Sequence, residues 1–169
     1  LRPKILAYRG VVGNVNRIDP TSWISYLNPK VDAVICVSKA VNKYLASVGV
    51  PKEKLHTIYK GHDVSWYQNE SKEYSRGSLG INAETIVIGC VANMRPSKGI
   101  DVLFEAIEKL PQDLPLQFLL IGKMELPENL KTDPRIIVLG FQKQASALMN
   151  LFDIIVMPSR TEGLPKALL

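Results

Sequence analysis

The chain has little cysteine and lacks any long apolar run. Its 169 residues contain two cysteines, Cys36 and Cys90, each inside a short apolar stretch. This placement predicts small, buried, reduced thiols rather than a disulfide or a metal site, and therefore a reducing, cytosolic setting. Every hydrophobic stretch is cut by a charge or a proline well before the ~18 residues of a membrane span. The sequence therefore predicts no transmembrane helix.

The first residues contain neither an initiator methionine nor the apolar core of a signal peptide. We expect a chain that begins within a longer protein or has been processed. Hydrophobic residues make up 46% and charged residues 22% of the sequence, as in globular proteins, which argues against intrinsic disorder.

The net charge is +5, with a sequence pI of about 9.2. Such an excess suits an anionic partner: a phosphorylated ligand, an acidic membrane face or a nucleic acid. Since the basic residues are scattered and form no nucleic-acid motif, the sequence predicts no nucleic-acid partner.

Short apolar segments alternate with amphipathic ones along the chain. This rhythm predicts an α/β fold built from βαβ units, with a doubly wound parallel sheet. Predicted strands cover residues 4–8, 32–37, 55–59, 85–92, 116–121, 135–139 and 153–157, and predicted helices cover 21–27, 39–48, 99–110 and 144–151, with a last helix starting at 164. The polar stretch 61–82, with one predicted helix from Ser71, indicates a domain boundary.

Ligands of open α/β sheets bind beyond the carboxyl ends of the strands. The first candidate loop there, residues 92–99, carries Arg95 and Lys98 just before a helix. Two such cations could bind a diphosphate with the help of the helix dipole. The alternative is a solvated loop in which Ser97 caps the helix.

The second candidate loop, residues 158–165, contains Glu162, Gly163 and Leu164. The glycine permits unusual backbone angles, and the amides of Gly163 and Leu164 could donate to an anionic or hydroxylated ligand. Glu162 could accept hydrogen bonds from sugar hydroxyls or cap the following helix.

A third, weaker candidate is Gly122, followed by Lys123, where the glycine allows a close approach. No GxGxxG motif follows a predicted strand, and no Walker lysine motif is present. These absences argue against a dehydrogenase and an NTPase.

Together these loops resemble those of a known family, the family-four (group 1) glycosyltransferases. The second half resembles the family's donor-binding domain through Arg95-Pro96-Ser97-Lys98-Gly99, Leu119-Leu120-Ile121-Gly122-Lys123, Val138-Leu139-Gly140-Phe141 and Pro158-Ser159-Arg160-Thr161-Glu162-Gly163-Leu164-Pro165. The first half is similar to the end of its N-terminal domain through Asp32-Ala33-Val34-Ile35-Cys36-Val37-Ser38 and Ile58-Tyr59-Lys60-Gly61-His62-Asp63.

The resemblance implies a GT-B fold, truncated at both ends. Residues 1–62 would be the last part of the acceptor-side Rossmann-like domain, 63–83 the linker, and 84–169 an incomplete nucleotide-sugar-binding domain. The implied activity is a retaining transfer from a nucleotide-diphosphate sugar, with no tightly bound cofactor and no required metal. The acceptor would be an unknown glycan or a lipid-linked molecule.

The resemblance also implies roles for particular residues. Arg95 and Lys98 match the pair that neutralises the donor diphosphate as the leaving group departs. Glu162 matches the first carboxylate of the family's EX7E motif, beside the donor sugar, so Glu162, Arg95 and Lys98 are the implied catalytic residues. The implied donor-binding set adds Gly122 and the backbone amides of Gly163 and Leu164.

The chain departs from the family pattern at several positions. Arg9-Gly10 stands where the family has His-Gly, so the histidine's role cannot be carried over, and Lys60 replaces an asparagine. The second EX7E carboxylate would fall one position beyond Leu169. We therefore expect weak or no transfer by this piece alone, and read His56 and His62 as structural or surface residues.

Two other functions fit the same residues. One is a GT-B sugar-nucleotide epimerase or phosphorylase-like enzyme; the other is a non-catalytic binding module. The sequence further predicts a cytoplasmic or membrane-peripheral protein, in contact with acidic membrane, and self-association through an exposed strand edge.

Overall fold

The computed structural model describes residues 2–61 and 74–168. The predicted helix from Ser71 and the residue His62 lie outside these ranges. The described chain divides into two compact units, one of residues 2–61 with 161–167 and the other of residues 74–160 with Leu168.

Strands and helices alternate in both units. The strands are β1 (Leu6–Arg9), β2 (Ala33–Cys36), β3 (Leu55–Thr57), β4 (Ile86–Val91), β5 (Leu116–Ile121), β6 (Ile136–Gly140) and β7 (Ile154–Ile155). The α-helices are α1 (Pro20–Ile24), α2 (Lys39–Ser47), α3 (Ile100–Lys109) and α4 (Ala145–Leu148). Short 3-10 helices cover Lys52–Lys54, Pro96–Lys98, Glu128–Leu130, Met149–Leu151 and Lys166–Leu168.

The first unit is a three-stranded parallel sheet in the order β1-β2-β3, with α2 packed against it. The α2 helix begins as predicted, because the Ser38 side chain accepts a hydrogen bond from the Val41 amide. Val34, Val41 and Leu45 are fully buried and form the centre of the core. The first strand, β1, lies at the edge of this sheet.

The second unit is a four-stranded parallel sheet in the order β6-β5-β4-β7. Four successive residues of β5, Phe118 to Ile121, are buried. Successive residues of a strand point to opposite faces, so the burial of all four means that the sheet is covered on both faces, which is the reason why these four residues are all apolar. The predicted α/β class with parallel sheets is confirmed.

Predicted and observed elements differ most near the end of the second unit. The predicted helix 144–151 is α4 followed by the 3-10 helix Met149–Leu151, because the Met149 amide donates to the Ser146 carbonyl three residues back. The predicted strand 153–157 shortens to β7, an edge strand whose Ile154 and Ile155 are both exposed.

The structure groups residues 161–167 with the first unit, whereas the sequence assigned them to a domain spanning 84–169. The boundaries proposed from sequence, at residues 62 and 83, stay predictions. Both cysteines are free and buried, as expected. In the part of the chain that the structure describes, no helix has the length and apolar character needed to cross a bilayer.

Candidate functional site

The loops that leave β4 and β5 are joined by hydrogen bonds at one edge of the second sheet. The Met94 amide donates to the Lys123 carbonyl at 2.8 Å, and the Lys123 amide donates to the Asn93 side-chain oxygen at 2.9 Å. The Gly122 amide donates to the carbonyl of Gly140, the last residue of β6, at 2.7 Å. These bonds fix three strand ends relative to one another.

Gly122 occupies a position that excludes a side chain. Its φ is +128°, and a Cβ atom there would collide with the Ala92 carbonyl oxygen. The group that lies against this glycine is the backbone of the neighbouring loop, and the role of Gly122 in donor binding stays a prediction.

Arg95 directly precedes the 3-10 turn Pro96–Lys98 that connects β4 to α3, and Lys98 is the last residue of that turn. Arg95 is exposed, and its guanidinium forms no hydrogen bond or ion pair within residues 2–61 and 74–168. Lys98 is half-buried and lies close enough to the Cys90 thiol to act on it: burial raises the pKa of this thiol to about 11, and the ammonium opposes that shift.

The suggestion that Ser97 caps the helix is wrong. The N-cap of α3 is Gly99, in the left-handed region at φ +62°, and no side chain makes the capping hydrogen bond. A Cβ atom at Gly99 would collide with the Pro158 carbonyl oxygen. Close packing of the chain against residue 158 therefore decides the start of α3.

Residues 92–99, which carry Arg95 and Lys98, are called the cationic loop below. Sequence reasoning assigned no role to Arg160, which the structure places against this loop. Its guanidinium bonds both carboxylate oxygens of Asp101, at 2.7 and 2.5 Å, and donates to the Pro96 carbonyl at 2.9 Å. The Arg160 amide donates to the Ser97 carbonyl at 2.9 Å. This ion pair lowers the pKa of Asp101 to about 2. The spacing of Asp101 and Arg160, 59 residues apart, gives no sequence signal for the pair.

An open depression of about 500 Å³ lies beside this ion pair. It is lined by Met94, Arg95, Pro96, Ile100, Asp101 and Arg160. A cation with no bond inside the described chain thus faces a depression large enough for part of a nucleotide.

Glu162, Gly163 and Leu164 belong to the first unit, where they lie against the loop that comes after β1 in the sequence. The Thr161 hydroxyl donates to the Val12 carbonyl at 2.8 Å, and the Glu162 carbonyl accepts from the Val12 amide at 3.4 Å. Leu164 packs against the core of this unit.

Gly163 is required for space and not for an unusual backbone angle, which corrects the prediction. Its φ is not positive, but a Cβ atom would collide with the carbonyl oxygen of Gly10. The amides of Gly163 and Leu164 donate to no acceptor in the described residues, so they meet the requirement of the predicted role.

Arg9 is engaged in holding the loop that follows it. Its guanidinium donates to the Val11 carbonyl at 2.9 Å and to the Gly13 carbonyl, and it lies 5.1 Å from the centre of the Tyr26 ring. These contacts combine hydrogen bonding with a cation–π interaction. In this structure Arg9 organises backbone; His56, on β3, is exposed.

The predicted site residues therefore fall into two groups. Arg95, Lys98 and Gly122 lie on the loops that leave β4 and β5 in the second unit, whereas Glu162, Gly163 and Leu164 are anchored in the first unit.

Both halves of the chain match known protein families. The profile of the family described as glycosyl transferases group 1 matches residues 85–169, half of the chain, and that of glycosyltransferase family 4 matches residues 8–66. The chain belongs to the group 1 glycosyltransferases. This membership does not favour the epimerase, phosphorylase-like or non-catalytic alternatives.

Individual relatives agree with the family profiles. The O-antigen biosynthesis glycosyltransferase WclY of Escherichia coli is 28% identical over 140 residues, which cover 78% of this chain and 38% of WclY. Anabaena HepE, solved with UDP, has a TM-score of 0.74 at 22% identity over 92% of this chain and 47% of HepE. A glycosyltransferase of Rickettsia africae gives 0.71 at 21% identity over 91% of this chain and 45% of that protein.

The chain thus spans less than half the length of these relatives. The structural likeness confirms the predicted GT-B type of fold, of which this chain is a part.

Proposed function

We propose that this chain is the donor-binding part of a retaining glycosyltransferase that uses a nucleotide-diphosphate sugar. Family membership supports the transferase class. HepE, which shares the fold, has been solved with UDP and with UDP-glucose, which supports a donor of this chemical type.

The cationic loop is suited to the chemistry of the leaving group. During transfer the bond between the anomeric carbon and a diphosphate oxygen breaks, and its electron pair moves to that oxygen. The acceptor hydroxyl oxygen bonds to the same carbon and releases its proton. Arg95 and Lys98 would stabilise the negative charge that builds on the diphosphate. Glu162 and the amides of Gly163 and Leu164 would bind the donor sugar.

The observation that carries this proposal is the exposed guanidinium of Arg95, which has no bonded partner among the residues that the structure describes, on a loop that Met94, Lys123 and Gly122 hold in place. A loop whose backbone is held at the carboxyl ends of parallel strands needs little backbone reorganisation when an anion binds to its side chains. An arginine on an unrestrained loop would lack this advantage.

Calorimetric titration of the 169-residue chain with UDP tests the proposal. We expect measurable binding, weaker than in a complete enzyme. Replacing both cations, Arg95→Ala with Lys98→Ala, should weaken it by at least ~150-fold, since hydrogen bonds to charged groups contribute about 1.5–3 kcal/mol each.

The matched control removes two positive charges outside the loop, from Lys109 at the opposite end of α3 and from Lys131 after the 3-10 helix Glu128–Leu130. Lys109→Ala with Lys131→Ala leaves the loop untouched, and should bind UDP as the unmodified chain does. Absence of UDP binding by the unmodified chain, or equal affinity in both double variants, would overturn the proposed site.

We further propose that the full protein acts on a glycan or lipid-linked acceptor while in peripheral contact with an anionic membrane. WclY is named for O-antigen biosynthesis, which supports a glycan product. The charge supports the membrane contact: residues 1–61 hold ten Lys and Arg against three acidic residues, whereas residues 62–169 hold eleven against thirteen. Co-sedimentation with phosphatidylglycerol vesicles but not with phosphatidylcholine vesicles is expected.

Self-association of the isolated chain is proposed for the open edge of β1. Leu6 and Tyr8 are 66% and 52% exposed there, and an unpaired strand edge can add another strand. Light scattering that finds a monomer at all concentrations would contradict this.

A further inference from the structure

Arg160 forms four hydrogen bonds to one short stretch of chain, residues 96–101. Two run to the Asp101 carboxylate, one to the Pro96 carbonyl, and one from its own amide to the Ser97 carbonyl. The stretch that Arg160 contacts begins directly after Arg95 and includes Lys98. Arg160 therefore connects the loop after β7 with the loop that bears both candidate phosphate ligands.

Backbone packing reinforces this connection on the other side of the turn. Gly99 lies against the Pro158 carbonyl so closely that no side chain fits between them. Residues 158 and 160 thus hold the loop at two points, one by packing and one by hydrogen bonding. The turn between Arg95 and Gly99 has little freedom to change its conformation while both contacts persist.

The chemistry of the pair fits a positioning role and argues against direct ligand binding by Arg160. Three of its hydrogen bonds use the guanidinium, and Asp101 neutralises its charge. Arg95, by contrast, has no bonded partner in the described chain. A lysine could not replace Arg160, because one ammonium cannot make the two parallel bonds of a guanidinium with a carboxylate.

From these contacts we infer that Arg160, paired with Asp101, is a positioning residue that holds the Arg95–Lys98 loop in the conformation that binds the donor diphosphate. The inference rests on the proposed function. Loss of the pair lets the loop sample other conformations, and the affinity for a diphosphate falls by the fraction of time the loop is competent.

A thermodynamic cycle on the 169-residue chain tests this, with UDP as the probe. Arg160→Ala should raise the Kd for UDP by roughly tenfold, and Arg160→Lys should recover little of it. In an Arg95→Ala background, Arg160→Ala should raise the Kd for UDP by at most about threefold, because a positioning residue has little effect on binding when the group it positions is absent. The double exchange Arg160→Asp with Asp101→Arg should recover part of the affinity.

Hydrogen exchange separates a local effect from a loss of stability. In Arg160→Ala the amides of residues 97–100 should exchange faster, while those of β5 keep their protection. Faster exchange in both regions would show general destabilisation and overturn the positioning role.

The outcomes distinguish the inference from the function beneath it. If the unmodified chain binds no UDP, the proposed function and the positioning role of Arg160 are both wrong. If UDP binding depends on Arg95 and Lys98 but is unchanged in Arg160→Ala, or if Arg160→Ala costs the same in both backgrounds, the inference alone is wrong.

Discussion

Gly163 shows how a single missing side chain can fix a candidate site. The residue after Glu162 lies against the Gly10 carbonyl with no room for a methyl group, although its own backbone angles are ordinary. The sequence drew attention to this glycine for its conformational freedom, but the reason for it is a long-range contact that no local pattern reveals.

A Gly163→Ala variant should therefore lose stability. The added methyl group forces the loop at Gly10 or the segment at Glu162 to move, which costs about 1–3 kcal/mol. Urea denaturation measures the loss. Gly61→Ala is the control, since a Cβ atom at Gly61 meets nothing within 4 Å and needs no unusual φ. Equal stabilities of the two variants would show that the contact is absent.

At the scale of elements, the end of α3 depends on a residue that lies between β5 and β6 in the sequence. Arg135, directly before β6, is buried and pairs with Asp133 at 2.8 Å. Its guanidinium also donates to the carbonyls of Ile107, Leu110 and Pro111, where the helix ends. It thus satisfies carbonyls that a helix otherwise leaves without partners.

Removing this guanidinium should destabilise the second unit strongly. Arg135→Ala leaves the Asp133 carboxylate without its partner and several carbonyls without donors, at a cost of about 3–5 kcal/mol. Lys131→Ala is the control, because it breaks an exposed ion pair with Glu128 that contributes below about 1 kcal/mol. Thermal unfolding monitored by circular dichroism should rank the two variants in this order; the reverse order would contradict the assignment.

The order of strands and helices was predictable from the sequence. Of the cationic loop, the two cations were predictable, but the contacts that hold the loop were not. Continuous apolar segments such as 118–121 identify buried parallel strands, and Ser38 marks a helix start, because both signals are local. Arg95 and Lys98 were found by their charge at a strand end and by family resemblance. The Arg160–Asp101 pair joins residues 59 positions apart, and the contact of Gly163 with Gly10 joins residues about 150 positions apart. Such pairs of residues can be identified only in the folded chain.

For the whole molecule, acid should unfold the chain through its aspartates. Hydrogen bonds from Arg2, Arg76 and Arg160 lower the pKa values of Asp32, Asp153 and Asp101 in the folded state. The unfolded chain, with pKa values near 3.9, takes up protons first as the pH falls. The free energy of unfolding should therefore stay level above about pH 5 and decrease steadily between about pH 5 and pH 2.

Urea titrations at a series of pH values measure this dependence. Asp32→Asn should flatten the acid side of the profile, since it removes the carboxylate bonded by Arg2, Lys4 and the Ile5 amide. A slope that is unchanged in this variant would mean that other groups control the acid transition.

The contact between Thr161 and Val12 spans 149 positions of sequence. During synthesis on the ribosome, the β1–β3 sheet can form early, but the segment bearing Glu162 joins it only after residues 74–160 of the second unit have been translated. Packing of residues 161–164 onto the first unit is thus a late folding event, and a nascent chain halted before residue 161 would carry Arg95 and Lys98 without Glu162.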